Sequence, residues 1–281
     1  MKKYSIGLYE KAMPGELSWR QRMETARRLG YDYFEISIDE KDEKLARLDW
    51  TETQISELTD LMQELSMPIR SMCLSGHRRF PLGSEDFKIR ERGMEIMEKA
   101  IDLADRLGIR TIQLAGYDVY YEESTAGTVQ TFTDNLKRAA EMAAVKGIQL
   151  GFETMETSFM DTAKKAMKFV DMIGSAYLGV YPDIGNMTNA AVLYGTDVIA
   201  DLESAKGHLL AMHLKETVPG RYREVPFGMG HVDFEAAISK AWELGIRRFV
   251  TEMWYVGQED WEGDIENAVT MMKEILDRQG D

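Results

Sequence analysis

GFETM (151–155), VYPDIGN (180–186), AMHLKE (211–216) and VTEMW (250–254) are four short stretches that share one pattern. Each is an apolar, strand-like run that ends near a side chain able to bind a metal ion, namely Glu153, Asp183, His213 and Glu252. These side chains are 30, 30 and 39 residues apart, which is about the length of one strand, one loop and one helix. The spacing predicts consecutive βα units whose strand ends point at a common centre.

The same unit of one strand and one helix repeats along the whole chain. Eight runs rich in β-branched and aromatic residues are typical of strands, and they lie at 4–9, 33–38, 68–74, 111–116, 148–154, 178–184, 209–215 and 248–254. Apolar residues at helical spacing fill the segments between them. This alternation predicts a single-domain (β/α)8 TIM barrel over residues 1–281. The main competitor, an open doubly wound sheet, lacks the G-x-G-x-x-G motif after its first strand.

The net charge limits the kinds of binding partner that this protein can have, and its cysteine content indicates the cellular compartment. The net charge is −14, from 34 basic and 48 acidic residues. It argues against nucleic acid or an anionic membrane as a partner, because both bind positive surfaces. A single cysteine, Cys73, excludes an intrachain disulfide and fits the reducing cytoplasm. Because no run approaches 18 apolar residues, we expect a cytoplasmic protein, and the sequence leaves both a monomer and a homodimer open.

Two glutamates, one aspartate and one histidine make a hard, oxygen-rich donor set. Such a set favours Mn²⁺ or Mg²⁺ and also admits Zn²⁺ or Co²⁺. Each residue alone has an ordinary structural explanation, since a carboxylate after a strand is more often a helix N-cap and a histidine beside Met and Leu is more often a core residue. Four of them at the ends of four successive apolar strands favour a metal site, because buried charges are rare unless paired or bound to metal.

Basic residues follow the third predicted strand in the stretch LSGHRRFPLGS (74–84). His77, Arg78 and Arg79 form the densest basic cluster near a strand end in this acidic chain. Surface charge explains any one of them more simply. As a group they predict a binding site for phosphate or carboxylate, and we take His77 and Arg78 as candidates.

Three further candidates for substrate binding follow the sixth and seventh predicted strands. Asn186, three residues after Asp183, either bonds a substrate hydroxyl or begins a helix as its N-cap. Lys215 shares a strand face with His213, so we expect it to enter the site. Arg223 lies in the long loop after the seventh strand, where barrels of this kind commonly bind phosphate.

Other side chains are predicted to support the site from nearby. Glu35, inside the second strand, is expected near the barrel top, bonded to a neighbouring side chain. Glu156 is expected either behind the ligands or at the surface. Trp254, Tyr255 and Trp261 follow the eighth strand and are candidates for the wall of a pocket, although aromatic residues there serve as often in plain packing.

The predicted constellation supports proton transfer next to a carbonyl group. A divalent ion in the site would polarise the carbonyl and stabilise an enediolate. Glu153 and Glu252, on strands three apart, would face each other across a barrel. One can remove a proton from one face and the other can return a proton to the opposite face, which inverts a stereocentre. A single base acting on one face would instead give aldose–ketose isomerisation, and the spacing leaves both reactions open.

Taken together, GFETM, YPDIGN, HLKET with VPFGMGHVDF, and TEMW resemble motifs of the L-ribulose-5-phosphate 3-epimerases, also called L-xylulose-5-phosphate 3-epimerases, in the xylose-isomerase-like barrel superfamily. LSGHRRFPLGS and YSIGLYEKAMP (4–14) are similar as well, so the resemblance spans most of the chain. It implies metal-dependent inversion at C3 of a ketopentose 5-phosphate, in L-ascorbate or L-xylulose catabolism. It also implies that Glu153 and Glu252 are both ligands and the acid/base pair, with Asp183 and His213 as ligands only.

Other functions receive less support. Related epimerases of free ketohexoses usually carry His three residues after the metal-binding Asp, so Asn186 disfavours a free hexose as substrate. A barrel that cleaves DNA at abasic sites would need more histidines than the four present and a basic face. A non-catalytic sugar-binding barrel would not need two opposed glutamates on one ion. We therefore expect a small-molecule sugar phosphate as the partner.

Overall fold

The structure, a computed structural model, describes residues 3–280, and eight parallel strands form the predicted barrel. Each strand lies within or close to its predicted range. The bounds are Ser5–Tyr9 (β1), Tyr33–Ile38 (β2), Ile69–Leu74 (β3), Thr111–Ala115 (β4), Gln149–Glu153 (β5), Leu178–Tyr181 (β6), Met212–Leu214 (β7) and Arg248–Thr251 (β8). The neighbours are paired in the order β6-β5-β4-β3-β2-β1-β8-β7.

The barrel closes between β6 and β7 through isolated pairs rather than a regular ladder. Val180 bridges Leu209, and Asp183 bridges His213, both in parallel orientation. The His213 amide also donates to the Pro182 carbonyl at 2.9 Å. The predicted seventh strand, 209–215, is therefore regular over three residues only. This closure sets Asp183 directly beside His213.

Helices cover the outside of the barrel. Their bounds are Trp19–Arg28 (α1), Asp42–Leu45 (α2), Glu52–Glu64 (α3), Phe87–Leu107 (α4), Ala126–Lys146 (α5), Ala163–Ile173 (α6), Ile184–Tyr194 (α7), Val198–Glu203 (α8), Phe234–Glu243 (α9) and Trp261–Asp277 (α10). Gly108 and Gly147 end α4 and α5 with φ of +75° and +66°, a conformation that glycine adopts without a steric penalty. Among residues 3–280, no helix is both long and apolar enough to cross a membrane.

Side chains along the strands point alternately into the barrel and outward to the layer between strands and helices. Tyr9, Tyr33, Cys73 and Val250 pack together inside the barrel, separate from the large apolar layer between strands and helices. A Cβ on Gly7 would overlap the Tyr33 ring, so the glycine at this position of β1 makes room for the tyrosine. With this packing below, the polar residues at the upper strand ends face a common space.

Candidate metal and substrate site

The four side chains predicted as metal ligands converge at the C-terminal end of the barrel. Glu153 is the last residue of β5, Asp183 precedes α7, His213 is the middle residue of β7 and Glu252 follows β8. Each offers one ligand atom, and these four atoms lie within 4.8 Å of one another. All four side chains are buried.

The His213 ring is oriented by a hydrogen bond on its far side. Its Nε2 lies 2.6 Å from Glu35 Oε1. The other ring nitrogen, Nδ1, is buried without a hydrogen bond. Nδ1 lies 3.4 Å from Glu153 Oε1, 3.5 Å from Glu252 Oε2 and 3.9 Å from Asp183 Oδ2. With the Nε2 proton directed at Glu35, Nδ1 is the ring nitrogen that faces the three carboxylates and that would bind an ion held among them.

Glu35 is itself fixed by two hydroxyl groups. Ser71 Oγ donates to Glu35 Oε2 at 2.7 Å, and the Tyr181 hydroxyl donates to the same oxygen at 3.0 Å. The Glu35 side chain is fully buried. It therefore bonds neighbouring side chains near the barrel top, as predicted, and it accepts three hydrogen bonds in all.

Asp183 has two distinct carboxylate oxygens. Oδ1 accepts a hydrogen bond from the Asn186 amide at 2.7 Å, so Asp183 is the N-cap of α7. Oδ2 is buried, faces His213 and lies 2.9 Å from the Lys215 ammonium. Asn186 is therefore not the N-cap that the sequence admitted as one possibility. Its Nδ2 donates to the Thr154 carbonyl at 2.7 Å, and its buried Oδ1 has no hydrogen bond.

Gln113 is a contact of Glu153 that the sequence analysis missed. It lies on β4 within the apolar run TIQLA, and its Nε2 donates to Glu153 Oε2. The signal that could have identified Gln113 is its polar amide within an otherwise apolar strand, because a buried amide requires a hydrogen-bond partner. The bond leaves Glu153 Oε1, the oxygen nearest His213, free of the amide.

Lys215 enters the site as predicted from its strand face. Its ammonium lies 2.9 Å from Asp183 Oδ2 and 3.3 Å from Glu252 Oε2. Burial by itself would lower the pKa of this lysine, but the Asp183 and Glu252 carboxylates raise it above its ordinary value. Lys215 is thus a fixed positive charge beside two of the candidate ligands.

The two glutamates of the site differ in their proton affinity. Burial, and then the nearby Glu252 charge, raise the pKa of Glu153 above its ordinary value. Burial acts on Glu252 in the same direction, but Lys215 and His213 outweigh it and hold the pKa of Glu252 well below its usual range. Two carboxylates with such opposed shifts suit one acid and one base.

The donor set fits a divalent cation by charge and by distance. Three ligand carboxylates with one lysine carry a net charge of about −2, which one divalent ion would neutralise. Two atoms that each lie about 2.1 Å from one ion are at most about 4.2 Å apart. The three separations from His213 Nδ1, 3.4 to 3.9 Å, meet this limit, and the four atoms together, which lie within 4.8 Å of one another, would draw slightly closer around one ion. The buried Nδ1 of His213, which has no hydrogen bond, further supports a group that could bind a metal ion.

A cavity that opens to solvent, with a volume of about 480 Å³ including its mouth, lies over the Glu153 and Glu252 carboxylates. Its lining includes the candidates Asn186, Lys215, Arg78 and Arg223, together with Glu153, Glu252 and Trp254. Arg223 donates to Glu156 at 2.8 Å and lies 5.7 Å from the Trp254 ring centre. Arg78 lies over the Tyr120 ring at 4.6 Å, and its Nε is buried without a hydrogen bond.

The structure does not bring His77 to this cavity lining. His77 is a buried residue of the loop after β3, and its Nε2 lies 3.0 Å from the Gly93 carbonyl of α4. Burial lowers the pKa of His77 to about 4, so the ring is neutral at pH 7. His77 therefore contributes no positive charge beside Arg78, contrary to the basic cluster expected from the sequence. Of the predicted wall residues, Trp254 lines the cavity, whereas Trp261 begins α10 and packs on the outer core.

Comparisons with known proteins show the family to which the chain belongs. Residues 23–275 match the family described as xylose isomerase-like TIM barrel. The putative L-ribulose-5-phosphate 3-epimerase SgbU of Escherichia coli K12 is 46% identical over 261 residues, covering 90% of each chain. L-ribulose-5-phosphate 3-epimerase UlaE of Escherichia coli O139:H28 is 41% identical over 280 residues, covering 99% of this chain and 97% of that one.

Solved structures share the fold at low identity. A D-psicose 3-epimerase determined in the presence of D-fructose has a TM-score of 0.81 at 17% identity, over 97% of this chain and 99% of that chain. An L-ribulose 3-epimerase has a TM-score of 0.79 at 20% identity, over 98% and 95%. The chain belongs to the L-ribulose-5-phosphate 3-epimerase family of xylose isomerase-like TIM barrels, and it is an isomerase.

Proposed function

We propose that this protein is a metal-dependent 3-epimerase that interconverts L-ribulose 5-phosphate and L-xylulose 5-phosphate. The observation that carries the proposal is the pair Glu153 and Glu252. Both are buried, both lie within 3.5 Å of His213 Nδ1, and their pKa values are shifted in opposite directions. The relatives at 46% and 41% identity, named as L-ribulose-5-phosphate 3-epimerases, support the substrate.

The two glutamates act on opposite faces of the substrate. Glu252, whose pKa is lowered, begins as the carboxylate that accepts the proton from C3. Glu153, whose pKa is raised, is the group that returns a proton to the other face of the planar intermediate. The roles exchange in the reverse reaction. Gln113 donates to Glu153 Oε2, which fixes the orientation of this carboxylate.

Glu153, Asp183, His213 and Glu252 would hold the metal ion. Three carboxylates and one imidazole favour Mn²⁺ or Mg²⁺ over softer ions, with Zn²⁺ or Co²⁺ as alternatives. When bound, the ion would polarise the substrate carbonyl next to C3 and stabilise the enediolate charge. Lys215 supplies a second positive charge at the same place, and its position beside Asp183 suits a bond to a substrate oxygen.

The phosphate is assigned to the outer part of the cavity. Arg78 and Arg223 both line it, and guanidinium groups match the geometry of phosphate oxygens. The Oδ1 atom of Asn186 is a buried acceptor without a hydrogen bond on the same lining, which suits a substrate hydroxyl. His77 is left out of this assignment because its ring is neutral and bonded to Gly93.

The test is product analysis with the purified protein. We expect L-xylulose 5-phosphate and Mn²⁺ to yield L-ribulose 5-phosphate, with activity lost on chelation and restored by added Mn²⁺. An aldose 5-phosphate as the product would instead identify an aldose–ketose isomerase. Turnover that survives thorough chelation would contradict the metal dependence.

A further inference from the structure

Glu216 is a buried carboxylate next to the candidate site that takes no part in the proposed proton transfer or metal binding. It directly follows Lys215, and the alternation of β7 directs it to the opposite side, together with Met212 and Leu214. Those two apolar side chains are fully buried, and Glu216 is only 3% exposed. Because a buried charge is costly unless polar groups compensate it, Glu216 requires partners on this side of the chain.

The partners of Glu216 are three backbone amides of the β7–α9 loop, residues 217–232. Its Oε1 accepts hydrogen bonds from the Thr217 amide at 3.1 Å and from the Val232 amide at 3.2 Å. Its Oε2 accepts a hydrogen bond from the Gly228 amide at 3.1 Å. Hydrogen bonds to a charged acceptor are stronger than those between neutral groups. One carboxylate thus joins the beginning, the returning arm and the end of the loop.

The loop backbone folds back onto Glu216 at close range, and two glycines permit this approach. Gly228 has a φ of +84°, in the left-handed region that glycine adopts without a steric penalty. A Cβ on Gly230 would overlap Glu216 Oε1 and the Thr217 carbonyl oxygen. The same carbonyl accepts a hydrogen bond from the His231 amide at 3.0 Å. The contact with Glu216 therefore depends on the backbone of the loop rather than on its side chains.

The β7–α9 loop carries Arg223 to the lining of the cavity. Arg223 also donates to Glu156, in the loop after β5, at 2.8 Å. The chain runs out from Thr217 to Arg223 and returns to Gly228, five residues later. The hydrogen bond from Gly228 to Glu216 therefore fixes the arm that returns from Arg223.

Two other side chains hold the β7–α9 loop, each at a single point. The Gly220 amide donates to Asn189 Oδ1 at 2.9 Å, and Asn267 Nδ2 donates to the Phe227 carbonyl at 3.2 Å. Each of these contacts ties one residue of the loop to a helix. Glu216 differs from them because it joins three parts of the loop to one another.

We propose that Glu216 is a positioning residue whose carboxylate holds the β7–α9 loop closed beside the cavity and thereby keeps Arg223 at the substrate. This rests on the function proposed above, in which Arg223 contacts the substrate. Lys215 is fixed independently, by its ion pairs with Asp183 and Glu252. Loss of the Glu216 carboxylate should therefore weaken substrate binding more than it slows proton transfer.

Glu216→Gln tests the contact with Gly228 selectively. The new side chain can keep its oxygen toward Thr217 and Val232, because this orientation retains two of the three hydrogen bonds. Its amide group then replaces Oε2 and meets the Gly228 N–H, donor against donor. The variant should therefore release the arm that returns from Arg223 and leave the two ends of the loop joined.

Gly228→Ala perturbs the same contact without changing a buried charge, and it serves as a second test if Glu216→Gln fails to fold. Alanine is strained at a φ of +84°. The nearest atom to the new Cβ, Met271 Sδ, is 3.7 Å away, so the substitution introduces backbone strain rather than a clash. Glu224→Gln is the matched control, because Glu224 is an exposed carboxylate of the same loop.

Trypsin measures the closure of the loop in the absence of substrate. Arg221 and Arg223 are the two basic residues of the loop, and trypsin cuts after them only when the loop opens locally. We expect cleavage after these residues to be about 10-fold faster in Glu216→Gln and in Gly228→Ala than in the wild type, with the products identified by mass spectrometry. Glu224→Gln should be cleaved at the wild-type rate. Saturating L-ribulose 5-phosphate should slow cleavage in all four proteins.

Steady-state kinetics then measure the effect of the loop on the substrate. We expect Glu216→Gln and Gly228→Ala to raise KM for L-ribulose 5-phosphate about 10-fold, with kcat changed less than about threefold. Glu224→Gln should keep the wild-type values of both. This division between KM and kcat separates positioning of a binding residue from a general loss of folded enzyme, which would lower kcat.

Two results would overturn the role of Glu216 while leaving the proposed function intact. One is cleavage of Glu216→Gln and Gly228→Ala at the wild-type rate. The other is faster cleavage with a wild-type KM, which would mark Glu216 as a structural contact only. A wild-type protein that does not act on L-ribulose 5-phosphate would overturn the proposed function instead, and cleavage by trypsin without substrate would still decide whether Glu216 closes the loop.

Discussion

Glu35 bonds His213, the candidate metal-binding histidine, on the side of the ring away from the site. Replacing Glu35 by Gln keeps the shape of this side chain and removes its negative charge. Glu35 accepts hydrogen bonds from His213 at 2.6 Å, Ser71 at 2.7 Å and Tyr181 at 3.0 Å. The hydroxyls of Ser71 and Tyr181 can rotate to accept from an amide. His213 Nε2 can accept a hydrogen bond from the amide of the substituted side chain only if the ring proton moves to Nδ1. A proton on Nδ1 would prevent this nitrogen from binding the metal ion.

The magnitude follows from this difference. A hydrogen bond to a charged group contributes about 1.5–3 kcal/mol and a neutral one about 0.5–1.5 kcal/mol, so the loss is about 1–2 kcal/mol. At about 1.4 kcal/mol per tenfold change, Mn²⁺ should bind about 5- to 30-fold more weakly. Isothermal titration of the metal-free protein with Mn²⁺ measures this directly.

Asp118→Asn is the matched control for that titration. Asp118 is also a buried carboxylate held by hydroxyl groups, with Ser124 at 2.8 Å and Thr128 at 2.6 Å, but it is not among the four residues that could hold a metal ion. Its Mn²⁺ affinity should equal that of the wild type. A Glu35→Gln protein that binds Mn²⁺ within twofold of the wild type would refute the role of Glu35 in orienting the ligand.

Three further predictions concern other parts of the molecule. Glu153→Gln and Glu252→Gln should each lower kcat at least about 100-fold without changing the circular dichroism spectrum, and a wild-type rate in either would exclude the two-base mechanism. His77 has a folded pKa of about 4, below its unfolded value of 6.5, so only the unfolded chain gains a proton as the pH falls through this window. Urea unfolding at pH 7.5 and 4.5 should therefore show about 2.5 kcal/mol more loss of stability in the wild type than in His77→Gln, and equal losses would show that the ring titrates normally. Gly7→Ala should lower the free energy of unfolding by about 1–3 kcal/mol because the new methyl group meets the Tyr33 ring, and an unchanged urea midpoint would mean that the ring moves aside.

The barrel and the convergence of the candidate ligands were predictable because both depend on regular spacing along the chain. Glu153, Asp183 and Glu252 each stand at or just beyond a strand end, and His213 lies within the short β7. In a parallel barrel these positions share one face. The irregular closure at Leu209 was not predictable, because strand propensity does not report which backbone groups are paired.

The directions of individual side chains were less predictable than their positions along the strands. His77 and Arg78 are adjacent in sequence, yet His77 turns to the Gly93 carbonyl and Arg78 lines the cavity. The sequence of a charged loop does not predict where each side chain points, because that depends on the backbone conformation of the turn. The place of Lys11 on the cavity lining was not predictable for the same reason, since its turn is stabilised by a hydrogen bond from the distant Arg47 to Glu10.

The most direct test of the central claim is proton exchange at the substrate. Incubating the Mn²⁺-loaded protein with L-xylulose 5-phosphate in D₂O and following the reaction by NMR reports which carbon loses its proton. We predict deuterium at C3 together with the appearance of L-ribulose 5-phosphate, because Glu153 and Glu252 exchange protons at that carbon. Deuterium at C1 with an aldose product, or no exchange at any carbon, would contradict the proposed epimerisation.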